Sequence, residues 1–296
     1  MFNRTAVYEV RLQPVSYTHL DVYKRQVITL REDVIDKISE EKVFIKLHSY
    51  RQGEEKKMLK VLVWNEFRHE KEMENVREIY PEGIHKAIAD FLSCEDIQVK
   101  TADLSKEECG LTKETLEQTD VLIWWGHAYH HEVPDEIAAR VRDAVLEGMG
   151  AIFLHSAHHS KPFKLLMGTS CNLSWREDGD KERIWICKPS HPIVQGVGRY
   201  LELPHEETYA EPFDIPEPDQ TIMIGSYEGS EVFRSGCCFY RGNGKIFYFQ
   251  PGHETFPTFY EPAVQTIIRN AVYWAAPTYR RKLECPHIEK IQENSI

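Results

Sequence analysis

The sequence predicts an α/β domain with a mostly parallel sheet and an irregular addition at one sheet edge. Two observations lead there. From Met58 onward, short strand-like apolar runs alternate with longer stretches of helical spacing, the signature of strand–helix–strand units with right-handed crossovers. The first run, Met58-Leu-Lys-Val-Leu-Val-Trp64, is apolar almost throughout, as a strand covered on both faces must be.

Each element follows from its own residues. The opening strand centres on Leu59, Val61, Leu62, Val63 and Trp64. A crossover helix is expected over Pro81 to Leu92, because Ile84, Ala87, Ile88, Phe91 and Leu92 recur at helical spacing behind a proline suited to a first turn. A short second strand is placed at Ile97 to Thr101 and a third at Val121 to Trp125. The next helix runs from Asp135 to Glu147, with Ile137, Val141, Ala144 and Val145 on one face and Gly148 as its stop. Ala151 to Leu154 forms the fourth strand. Between Arg183 and Arg234 the chain turns Pro-rich, and Ile184 to Cys187, Thr221 to Gly225 and Glu231 to Phe233 read as the edge addition. Arg241-Gly-Asn-Gly244 signals a tight turn before the last strong strand, Lys245 to Gln250. A final helix, Pro262 to Trp274, gathers Val264, Ile267, Ile268, Ala271 and Val272 on one side and stops before Pro277.

Composition sets the outer limits. Lys plus Arg come to 36 against 47 Asp plus Glu, a formal charge of −11, which works against attraction to phosphate backbones and anionic lipid. No nucleic-acid partner is expected, and no membrane one, since no run approaches the roughly 18 apolar residues of a spanning helix. Seven cysteines without CxxC pairs fit reduced thiols and a cytoplasmic location. Residues 1–57 lack the apolar core and cleavage site of an export signal and are set apart as a leader. Within it, Ser16 to Gln26 resembles translated adapter sequence and is left out of functional argument. The domain is placed at 58–277 and a polar, solvated tail at 278–296. A homo-oligomer is expected only as a base rate.

Polar residues gather just beyond four apolar strands. Asn65, Glu66 and His69 follow the first, His127 the third, His155 and Ser156 the fourth, and His253 and Glu254 the last. Ligands of open parallel sheets bind outside the carboxyl ends of the strands, so these segments are expected to meet in one crevice. Two readings of His127, His155 and His253 stand. They form a zinc site with an open fourth position, or they act directly as acids, bases and donors near their ordinary pKa of about 6.5. Local pairs, His127 with His130 and His155 with His158 or His159, are weaker candidates for metal geometry. Glu66 and Glu254 are placed to orient an imidazole or take a proton. Ser156 lies on the elbow after the fourth strand, either as a nucleophile or as the cap of the next helix. Trp64, Trp124 and Trp125 either line a sugar-binding crevice or fill the core. Gly148-Met-Gly150 matches no phosphate loop, and no nucleotide cofactor is expected.

Seven segments in order carry a family resemblance: VLVWNEFRHE (61–70), VLIWWGHA (121–128), EGMGAIFLHSAHHS (147–160), MGTSCNLSWRE (167–177), SHPIVQGVG (190–198), EETYAEPFDIP (206–216) and GKIFYFQPGHET (244–255). Together they resemble the ThuA-like, trehalose-utilisation family over about Met58 to Pro277. The resemblance implies a flavodoxin-like, class I glutamine-amidotransferase-like three-layer sandwich. It also implies catabolism of trehalose and related disaccharides through oxidised keto-sugars. In amidotransferases of that fold the elbow carries a nucleophilic cysteine, whereas Phe153-Leu-His-Ser156 has none, which argues against glutamine hydrolysis. The resemblance carries over His127, His155 and His253 as site histidines, together with Glu66, His191 and Glu207. The expected assignment is therefore an enzyme of sugar catabolism with a zinc ion on His127, His155 and His253. Its catalytic groups are Glu66, His155 and Glu254, and Asn65, His69, Trp125, Ser156, His191 and Glu207 bind a small sugar. The alternatives are a non-catalytic sugar-binding or regulatory module and a residual amidohydrolase using Ser156.

Overall fold

The computed structural model describes residues 58–282 and 284–289. The leader expected at 1–57 lies outside the described residues.

Apolar runs become strands where the sequence reading places them. The first strand, β1 (Leu59–Asn65), leads through two short helices, α1 (His69–Glu72) and α2 (Glu74–Ile79), to the crossover helix α3 (Ile84–Leu92). Then follow β2 (Ile97–Asp103), α4 (Lys113–Glu117), β3 (Val121–Trp125), α5 (Asp135–Leu146) and β4 (Gly150–Leu154). After α6 (Lys161–Met167) come four strands without an intervening α-helix: β5 (Ser174–Ile186), β6 (Tyr200–Ala210), β7 (Gln220–Tyr227) and β8 (Val232–Arg241). The chain closes with β9 (Gly244–Phe249) and α7 (Pro262–Ala275).

All nine strands form one sheet, in the order β2-β1-β3-β4-β9-β8-β7-β5-β6. The expectation of a mostly parallel sheet with a small edge addition is corrected here. Four neighbouring pairs, from β2 to β9, are parallel, and four, from β9 to β6, are antiparallel. The reason is connectivity: a strand that returns without a helical crossover runs antiparallel to its neighbour. The β8–β9 hairpin turns on Gly242 and Asn243, between the paired Arg241 and Gly244. Gly242 has φ +58, and a Cβ there would press on the Leu146 carbonyl, so the glycine-rich turn is needed both for its backbone and for its neighbour.

Alternate residues of the parallel strands feed two cores. Val61, Val63, Ile123, Ile152 and Phe247 pack with Ile84 and Ile88 of α3 and Ile267 and Ile268 of α7. Leu62, Trp64, Leu122, Trp124 and Phe153 pack with Ile137, Val141 and Val145 of α5 and Phe163 of α6. Each such buried side chain stabilises the fold by roughly 1.5–3 kcal/mol. The tryptophans are part of this packing. Trp64 and Trp124 stack with ring centroids 3.9 Å apart, and Trp64 donates its indole N–H to the Cys109 carbonyl at 3.0 Å.

The start of the expected solvated tail is docked. Arg280 donates to the carbonyls of Leu116 (3.0 Å), Glu117 (3.2 Å) and Thr119, and the Arg281 amide donates to Glu147 O at 3.0 Å. Among the described residues, no helix is long and apolar enough to cross a membrane.

Candidate metal centre

Three strand ends and one antiparallel strand deliver the cluster. His127 follows β3, His155 follows β4, His253 lies beyond β9, and Glu207 projects from β6. The rings of His127, His155 and His253 form a near-equilateral triangle, with centroids 5.5, 5.1 and 5.4 Å apart. One ligand atom from each of the three histidines and from Glu207 falls within 4.8 Å of all the others.

Hydrogen bonds decide which nitrogen each imidazole turns inward. His155 Nδ1 lies 3.0 Å from the Gln250 carbonyl, which can only accept, so Nδ1 carries a proton and Nε2 is the nitrogen turned inward. His127 Nδ1 meets Glu254 Oε1 at 2.9 Å, again leaving Nε2. His253 Nδ1 sits 2.8 Å from the Thr255 hydroxyl and accepts a longer 3.3 Å contact from the Thr255 amide. The amide can only donate, so Nδ1 is the acceptor here and Nε2, turned inward, carries a ring proton that a bound cation would displace. Such outer partners are what fix tautomer and orientation around a bound metal.

Inside the triangle the polar atoms lack partners. His155 Nε2, His253 Nε2 and Glu207 Oε2 are each buried without a hydrogen bond. His155 Nε2 and Glu207 Oε2 stand 3.0 Å apart, but not in line, so the short distance is not a hydrogen bond. Ligands at 2.0–2.1 Å from a tetrahedral zinc ion lie about 3.3 Å from one another, so this spacing fits a shared cation. Buried polar atoms without partners cost about 1–3 kcal/mol each, which a cation among them removes. Burial opposes charge on His155, yet the Glu207 carboxylate pushes it up to about 9. Burial, with His155 beside it, pushes His253 down to about 4.

The backbone at His155 is strained. Its φ is +54, a left-handed conformation that costs a non-glycine residue of order 1–3 kcal/mol and concentrates at functional sites. Here the strained elbow residue is a histidine. Ser156, next in the chain, is spent on the Tyr209 hydroxyl at 2.6 Å, and Tyr209 stacks on His155. Ser160 rather than Ser156 caps the following helix, accepting from the Phe163 amide.

Other expected site residues take different places. Glu66 is 2% exposed and accepts from the amides of Ala128 and Tyr129, both at 3.1 Å, which fixes the loop bearing His127. Burial opposes its ionisation, but His69 and the two amides hold it below the usual carboxylate range. His69 stands at the rim, with Nδ1 3.1 Å from Glu66 and Nε2 3.8 Å from Glu254. Burial likewise opposes charge on Glu254, yet His127 first, then His253 and His69, hold it at about 2. Asn65 is fully buried and structural: its amide donates to Glu70 at 2.7 Å, and its oxygen accepts from Phe67 N at 2.9 Å. Trp125 is core and braces the His253 loop by donating to Gly252 O at 2.9 Å.

His191 is not brought to the cluster. It caps the short 3-10 turn Pro192–Val194 and packs on Trp274 of α7. His158 bonds to Cys171 O and His159 to Asn172, so the local histidine pairs supply no second ligand to the set. One carboxylate escaped the sequence reading altogether. Glu206 is fully buried and accepts four bonds, from Glu207 N (3.2 Å), Gly252 N, His253 N and the Thr258 hydroxyl (3.0 Å each). The adjacent pair Glu206-Glu207, at the start of the segment 206–216 that carries part of the family resemblance, was the available signal.

Among curated proteins none matches the chain. Solved structures do. A protein described as ThuA-like from Parabacteroides merdae is 14% identical, with 77% of this chain covering 93% of that one at a TM-score of 0.56. A second, from Bacteroides uniformis, is 12% identical, with 77% covering 95% at 0.55. A cytoplasmic protein from Salmonella typhimurium LT2 is 14% identical, with 74% covering all of that chain at 0.50. At these identities the likeness is one of fold. The family model for ThuA, trehalose utilisation, matches residues 60–275, nearly the whole of the sheet and its helices, and the chain belongs to that family.

Proposed function

We propose that this chain is a metal-assisted enzyme of sugar catabolism, acting on a disaccharide or a keto-sugar formed from one, in the cytoplasm and without a nucleotide cofactor. The observation that carries the metal reading is the convergence of three buried, unpartnered atoms, His155 Nε2, His253 Nε2 and Glu207 Oε2, beside His127. The sugar reading rests on family membership. A cation held there supplies Lewis-acid polarisation of a carbonyl or activation of water. The chain's own groups do the rest. His69 stands at the rim, with Nδ1 3.1 Å from Glu66 and Nε2 3.8 Å from Glu254, and adds to the polar lining that a bound substrate meets. Glu206 and Glu66 keep their loops in place through backbone amides, and Tyr209 backs the His155 ring.

The test is elemental analysis of the chain purified without an affinity histidine tag. Bound zinc that is lost in both His155→Ala and His253→Ala, with near-UV circular dichroism retained, is the expected result. A well-folded wild type that takes up no zinc or other divalent cation overturns the metal reading.

A further inference from the structure

His127 stands in two ligand sets, not one. The second consists of His69, His127 and Glu254, whose ligand atoms also lie within 4.8 Å of one another. We propose that these three residues bind a second divalent cation, adjacent to the first, with the His127 ring between the two ions. The inference rests on the metal reading above and extends it.

Geometry supports the second set independently of the first. Glu254 Oε1 lies 2.9 Å from His127 Nδ1 and 3.8 Å from His69 Nε2, bracketing the spacing of about 3.3 Å between neighbours around zinc. Glu254 is 3% exposed, and its second oxygen is buried with no hydrogen bond. His69 is the one imidazole of the group that the first set does not use. Its Nδ1 lies 3.1 Å from the Glu66 carboxylate and is buried without a hydrogen bond.

Charge points the same way. Glu66, Glu207 and Glu254 are buried carboxylates whose ion-pair partners, among the described residues, are all imidazoles. With neutral imidazoles, one divalent ion leaves 3 − 2 = 1 negative charge without compensation in a desolvated site, a costly arrangement. Two ions bring four positive charges, which match these three carboxylates and the one negative charge that His127 takes on as a bridging imidazolate. On binding, the ring proton that His127 shares with Glu254 passes to solvent, and both nitrogens of that ring become ligands.

The experiment is zinc loading of the full chain, followed by gel filtration in metal-free buffer and elemental analysis. The expected result is about two zinc ions per chain in the wild type and about one in both His69→Ala and Glu254→Gln. Crystals of the zinc-loaded wild type should give two neighbouring anomalous peaks. If Glu254 is only an outer partner of His127, the wild type holds about one ion, and Glu254→Gln weakens it roughly 10–100-fold without changing the count. That result overturns the second site and leaves the first intact. No bound zinc at all overturns both.

Discussion

Glu206 illustrates how a residue outside the candidate metal set can govern it. Its carboxylate ties the amides of Gly252 and His253 to β6, and so sets where the His253 ring stands. In Glu206→Ala those amides, the Glu207 amide and the Thr258 hydroxyl lose their acceptor, at about 1–3 kcal/mol for each that stays buried. We expect a fall in stability of at least about 3 kcal/mol in urea titrations and a loss of zinc affinity in chelator competition. Retention of wild-type zinc affinity by the folded variant would remove Glu206 from its positioning role. The histidines were legible in the sequence because each follows an apolar strand, and strand ends in such sheets are where ligands meet. Asn65 and Trp125 shared that placement and misled for the same reason. Proximity to a strand end does not say whether a side chain faces the crevice or the core, and Asn65 and Trp125 are both fully buried.

The strands whose bounds the sequence reading set best, β1, β3, β4 and β9, are buried on both faces; β6, which it missed, and the first part of β5 are half polar. β6 reads Tyr-Leu-Glu-Leu-Pro-His-Glu-Glu-Thr-Tyr-Ala, and the first part of β5 is mostly charged. Neither has the apolar period that marks a strand, because β6 is the sheet edge and much of both faces water. Yet this antiparallel pair brings Glu206, Glu207 and Tyr209 to the ends of the parallel strands. The register shifts between Arg176 and Glu182 mark the irregularity that a regular pattern search passes over. At the opposite ends of the central parallel strands the elements are tightly fitted. A Cβ on Gly150, the first residue of β4, would lie 2.4 Å from the carbonyl of Ala275 at the end of α7. Gly150→Ala is therefore expected to push α7 off the sheet and cost about 1–3 kcal/mol, read as a lower urea midpoint with an unchanged slope. An unchanged midpoint would mean that the helix end yields freely.

For the molecule as a whole, stability carries a buried acid on the antiparallel side. Glu182 of β5 is fully buried; one oxygen accepts from Ser235 at 3.0 Å, and the other has no hydrogen-bond partner. Burial first, then the neighbouring Glu206, raise its pKa well above the ordinary value, while Ser235, Tyr227 and His155 work against the rise. A folded-state pKa above the unfolded one gives stability that is complete below the unfolded value near 4.5 and lost as pH climbs through the folded value. Thermal midpoints should accordingly decline on the alkaline side, and Glu182→Gln should flatten that decline and raise the midpoint at pH 8. A variant whose midpoint falls at every pH would show the carboxylic acid to be needed for packing instead. The arrangement of the two sheet halves also fixes a timetable. Synthesis proceeds from the N-terminus, so His127 and His155 exist before Glu207, and His253 is made after all of them. No partial product of translation that stops short of β9 holds the complete cage. On the metal reading, uptake of the ion is the closing act of the protein's maturation, and a nascent chain competes poorly for it until its last strand has found β4.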